Sequence, residues 1–116
     1  MGRILVHSAT GPENATRAAL ALLVARTAVE EGHEVQVFIA GDGVHLADEE
    51  QAAATNGLGT GSVAEHLAAL HGAGLTVFLS GMSSKARGIE GGEGFELAPP
   101  QKLVELATWA DTALTY

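Results

Sequence analysis

The residues best suited to chemistry fall in three short clusters. They are His7-Ser8-Ala9-Thr10, Gly41-Asp42-Gly43 with His45 just beyond, and Ser80-Gly81-Met82-Ser83-Ser84-Lys85-Ala86-Arg87-Gly88. Each follows a short apolar run, and in an open parallel sheet ligands lie beyond the carboxyl ends of the strands. The third cluster is the richest. Between Arg26 and Lys102 the only cationic side chains are Lys85 and Arg87, and both stand just behind Ser80, Ser83 and Ser84. In a chain of net charge −8, cations beside hydroxyls and a helix start make a local anion site, with Ser80, Gly81, Met82, Ser83, Ser84, Lys85 and Arg87 as its contacts. The plainer reading of the same residues is a solvated lysine and arginine on an ordinary helix start.

Other chemistries are weaker. The five histidines, His7, His33, His45, His66 and His71, form neither HxH nor HExxH, so no metal site is expected. His7, His45 and Asp42 lie where two strand ends meet, and an enzyme using them as acid–base or metal groups is the alternative to a binding protein. Ser80 lacks the G-x-S-x-G elbow of a serine hydrolase, and Thr10-Gly11-Pro12-Glu13 is neither a P-loop nor G-x-G-x-x-G, so no cofactor is expected. The chain has no cysteine, which removes disulfides, thiolate ligands and thiol nucleophiles together. The charge of −8 argues against nucleic acid and acidic lipid surfaces, because both need a basic face.

These clusters require elements to position them. With 116 residues the chain is one domain, residues 1–116, of ordinary size. Ile4-Leu5-Val6, Val35 to Ile39 and Leu75 to Leu79 read as strands buried on both faces. Between them lie segments of helical spacing, the alternation of an α/β domain with a mostly parallel sheet. A first helix is expected from Asn14 to Glu31, started by an Asn14 cap or a Thr10-x-x-Glu13 capping box and stopped at Gly32. It is apolar on two sides, with Leu20, Leu23 and Val24 opposed to Ala18, Leu22, Ala25 and Val29. Two apolar sides suit two packing partners, the sheet and a neighbouring subunit.

Gly41 to Leu46 suits one short helical turn, and Asp48 to Gly61 reads as a mobile loop. Ser62-Val63-Ala64-Glu65 is a capping box opening a helix that ends at Gly72 or Gly74. After a glycine-rich loop at Gly88 to Gly94, Phe95 to Leu97 suits a short strand. Pro99-Pro100 starts a last helix, and Ala113 to Tyr116 closes the sheet edge. The N-terminal residues lack a signal peptide's apolar core, and the uncharged run Ala18 to Ala25 is too short to cross a membrane. A soluble, cytoplasmic protein is expected.

Three stretches in register carry a family resemblance: Gly11-Pro12-Glu13-Asn14-Ala15-Thr16-Arg17-Ala18; Glu31-Gly32-His33-Glu34-Val35 leading to Phe38 and Gly41-Asp42-Gly43-Val44; and Gly81-Met82-Ser83-Ser84-Lys85-Ala86-Arg87-Gly88. Together they resemble the DsrE/DsrF-like proteins across nearly the whole chain. The resemblance implies a sheet of about five strands with flavodoxin-like topology, assembly as homotrimers or hexamers, and a link to intracellular sulfur relay. It further implies that the relay cysteine of such proteins, at the end of the third strand near a subunit boundary, corresponds to Ser80. A serine hydroxyl cannot hold a persulfide, so the family's transfer chemistry does not carry over. A non-catalytic protein that binds a small anion or a partner is expected, or an accessory subunit to a cysteine-bearing paralogue.

Overall fold

A computed structural model describes residues 1–116. The apolar runs form the central strands β1 (Arg3–Ser8), β2 (Glu34–Ile39) and β5 (Val77–Ser80), and β6 (Phe95–Ala98) and β7 (Thr112–Thr115) complete the sheet. The order is β6-β5-β2-β1-β7 with every pair parallel. The short strands β3 (Asn56–Gly57) and β4 (Gly61–Ser62) make a separate antiparallel ribbon.

Alternation along each strand divides the apolar residues between two faces. One face carries Val6, Val35, Val37, Ile39, Val77 and Leu79 in a core of 18 buried residues. Helices α1 (Ala15–Glu30) and α3 (Val63–Gly72) cover it, and both contribute to that core. The other face has only Leu5, Phe38, Ala98 and Leu106 in its cluster of 4 buried residues. Leu106 comes from α5 (Pro100–Trp109), with Leu103 and Ala110 partly buried beside it. The second face is therefore thinly clad. Phe78 stays half-buried there, with the Lys102 ammonium 4.8 Å above its ring.

Local chemistry sets the boundaries. Asn14 Oδ1 accepts from the Arg17 N–H at 3.1 Å, so the asparagine cap starts α1 after a 3-10 turn at Pro12–Asn14. Glu13 does not serve Thr10; its carboxylate accepts from the Gly11 N–H at 3.0 and 3.1 Å. Ser62 Oγ accepts from the Glu65 N–H at 3.2 Å and opens α3 as its capping box predicts. Strand β5 begins two residues later than expected. The Leu75 N–H is spent on the Leu70 carbonyl at 3.1 Å, closing the end of α3, so Leu75 and Thr76 belong to the connection.

Two expectations need correction. The stretch from Asp48 to Gly61 is not a loop. It holds α2 (Glu49–Ala54), capped by Asp48 Oδ2 accepting from the Gln51 N–H at 3.1 Å, and then the ribbon. Thr16 anchors that ribbon on α1: its Oγ1 accepts from the Leu58 N–H at 3.1 Å and its carbonyl accepts from the Thr60 hydroxyl at 3.0 Å. Only glycine fits at position 57, since a Cβ there would overlap Thr60 Oγ1 and lie 3.0 Å from the Ala19 Cβ. In addition, α1 finds its second partner inside the chain, packing against α3 and the ribbon as well as the sheet. Its two apolar sides therefore do not by themselves demand a neighbouring subunit.

The division between packed core and exposed turn is testable by urea unfolding. Leu22 is 1% exposed and Leu58, at the ribbon tip, is 90% exposed. Leu22→Ala should cost about 2–5 kcal/mol through lost burial and cavity formation. Leu58→Ala should stay within about 0.5 kcal/mol of the parent.

Candidate functional site at the strand carboxyl ends

Strand β5 ends at Ser80, and the chain turns at once into α4 (Gly81–Arg87). The helix start expected behind Ser80 is thus a seven-residue helix. Ser80 Oγ caps it by accepting from the Ser83 N–H at 3.2 Å, and Gly88 ends it at φ +69°, a left-handed conformation suited to glycine. Beside it, β6 delivers the chain to α5 on the thinly clad face, whereas Ile89, just past α4, packs on the larger core. Neighbouring strands whose connections leave to opposite faces create a switch point, the usual place for a crevice. Here Gly81 and Ala98 face each other across it. A Cβ at Gly81 would sit 3.5 Å from the Ala98 carbonyl oxygen.

The polar side chains of this corner mostly serve one another. Ser83 Oγ accepts from the Gly41 N–H at 2.9 Å, tying α4 to the 3-10 turn Gly41–Ala47 that follows β2. Arg87 Nε donates to Asp42 Oδ1 at 3.1 Å, its Nη2 lies 3.1 Å from the same oxygen, and its Nη1 donates to the Ser83 carbonyl at 3.2 Å. The segment after β1 is drawn in as well, because a Cβ at Gly11 would overlap the Asp42 carbonyl. Three post-strand segments therefore meet at Asp42. Ser84 is fully buried, and its hydroxyl has no protein partner. Lys85 is exposed and Met82 is 71% exposed. The expected cation pair is thus unequal, with Arg87 committed to Asp42 and Lys85 facing outward.

His7, Asp42 and His45 share no hydrogen bond or ion pair with one another. No three of the chain's histidine and carboxylate side chains are grouped so as to hold a metal ion. Asp42 is engaged by Arg87. His45 turns toward α2, with Nδ1 3.4 Å from Gln51 Nε2. His7 lies on the thinly clad face, its ring centroid 6.3 Å from that of Phe38.

A separate groove lies elsewhere. About 790 Å³ in volume, it runs between α2, α3 and the segment Gly88 to Glu93, with Leu67, Ile89 and Phe95 among its apolar lining residues. None of the ten candidate residues lines it. Sequence reading missed it because one wall, α2, had been read as a loop. The available signal was Asp48-x-x-Gln51, a capping pattern only four residues long.

The chain matches the model of the DsrE/DsrF-like family over residues 2–116. It belongs to that family. None of the curated proteins compared with it matches in sequence. Among solved structures, the ychN protein from E. coli superposes with a TM-score of 0.84 at 21% identity, covering 100% of both chains. At that identity the likeness is one of fold, and it agrees with a single α/β domain built on five parallel strands. No helix is long and apolar enough to cross a membrane.

Burial lowers the His7 pKa below its ordinary 6.5, because desolvation disfavours the charged ring. The unfolded chain therefore binds the His7 proton more readily than the folded one, and this contribution to stability rises with pH. It is fully present above about 6.5 and is lost as the pH falls below that value toward the lowered folded pKa. Thermal melts from pH 8 to 5 should show a drop in stability on the acid side that is smaller in His7→Gln. An identical acid-side drop in the variant would show that His7 is not its source.

Proposed function

We propose that this chain is a non-catalytic member of the DsrE/DsrF-like family that uses the β5–α4 corner to bind a partner protein. Family membership supports a role related to sulfur relay. The observation that carries the reading is the state of Ser80. It closes the third strand of the main sheet, the position where the resemblance puts the relay cysteine, and its hydroxyl is spent on capping α4. A serine there offers neither a thiolate nor a persulfide, and Asp42, the nearest carboxylate in the constellation, is held by Arg87.

What remains for recognition is outward-facing: Met82 and Lys85 on one short rigid helix. An apolar anchor next to a cation suits a protein surface better than an enclosed anion. A small anion remains a second reading, favoured by the absence of any carboxylate ion-paired to Lys85. Self-assembly as a trimer or hexamer is part of the proposal. It is supported by exposed Leu97, Val104 and Met82 in a chain with only 17% charged residues. A cytoplasmic setting is part of the proposal, and the charge of −8 argues against a nucleic-acid or acidic-lipid partner.

Light scattering after size exclusion at micromolar concentration should give the mass of three or six chains; a monomer would remove the assembly claim. Mixed with a cysteine-bearing protein of the same family, the parent chain should co-elute, and Met82→Asp and Lys85→Glu should not. Co-elution retained in both variants would take this corner out of the interface. Titration with sulfate separates the second reading, which requires saturable binding that Lys85→Ala abolishes.

A further inference from the structure

The groove beside α2 lies outside the β5–α4 corner and has a character of its own. Asp48, Glu49, Glu90 and Glu93 line it together with His71 and apolar side chains, and neither a lysine nor an arginine does. Nine of its 16 lining residues are hydrophobic. Its volume of about 790 Å³ is that of a small-molecule site.

We propose that this groove binds a small alkyl polyamine, a flexible organic cation whose positive charges are separated by apolar carbon chain. Three features select that class. First, the carboxylates exclude an anion and leave a field that attracts cations. Second, no three acidic or histidine side chains are grouped so as to chelate a metal, and the acidic residues stand on two walls, Asp48 and Glu49 at α2 and Glu90 and Glu93 on the segment after α4. Carboxylates on two walls match a ligand with more than one ammonium group. Third, the apolar lining gives methylene segments somewhere to leave water, at roughly 25 cal/mol per Å² buried, which a hydrated metal ion would not exploit. Asp48 keeps one oxygen on the Gln51 N–H as the cap of α2, so the exposed Glu49, Glu90 and Glu93 supply most of the attraction.

Isothermal titration of the full chain with spermidine tests the proposal. Saturable binding with one site per chain is expected, weakening as salt is raised. A variant carrying Glu49→Gln, Glu90→Gln and Glu93→Gln should bind at least tenfold more weakly. The equally discharged Glu31→Gln, Glu34→Gln, Glu96→Gln variant, altered at exposed positions outside the groove, should bind like the parent. Ala68→Trp, which fills the groove from an exposed position on α3 without changing charge, should also abolish binding. Hexylamine, with the apolar chain but one charge, should bind at least tenfold more weakly than spermidine, and calcium should not compete. No saturable binding, equal losses in the two glutamine variants, undiminished binding in Ala68→Trp, or competition by calcium would each overturn the proposal. The last three would reduce it to general attraction toward an acidic surface.

Discussion

The parallel register of β1, β2 and β5 is the constraint on which everything else rests. Ser8 pairs with Ile39, and Ile39 with Leu79, so the three central strands end level with one another. Because all run the same way, their exits crowd at one edge of the sheet. That crowding explains the close approach at Gly11, the Ser83 bond to the Gly41 N–H, and the placement of Arg87 over Asp42. With side-chain exposures of 29% and 56%, the Arg87–Asp42 pair contributes little stability as an ion pair alone. Its effect is geometric, since it joins the segments after β2 and β5 where backbone contacts already bring the segment after β1.

That closure separates fold from chemistry. The DsrE/DsrF-like framework supplies a switch point between β5 and β6, and in this chain Ser80, Ser83, Arg87 and Asp42 are turned inward on one another there. Ser80 caps, Ser83 staples and Arg87 clasps. The proposed non-catalytic role rests on that pairing, with the buried Ser84 hydroxyl and the outward Lys85 as the polar groups left over. The proposed association with other chains would use the exposed residues of α4 and the thinly covered second face.

The elements legible in the sequence are those with strong local signals. Continuous apolar runs marked the central strands, and caps at Asn14 and Ser62 marked the starts of α1 and α3. The failures share a cause. Asp48 to Gly61 is rich in small and acidic residues and has no apolar stripe, because α2 and its ribbon are held by α1 and α3 rather than by their own pattern. Gly81 to Arg87 shows no more than a helix start for a similar reason: a seven-residue helix with one glycine and two serines depends on the Ser80 cap and on Ser83's long-range bond. The resemblance named the polar corner but not its wiring. Arg87's partner lies 45 positions away, beyond the reach of spacing arguments.

The central claim is that the end of β5 is a closed, non-transferring corner. Intact-mass spectrometry after exposure to a low-molecular-weight persulfide donor tests it most directly, with Ser80→Cys as the comparison. The parent chain should keep its mass while Ser80→Cys gains one sulfur atom, removable by a thiol reductant. Reductant-labile sulfur on the parent chain would contradict the account.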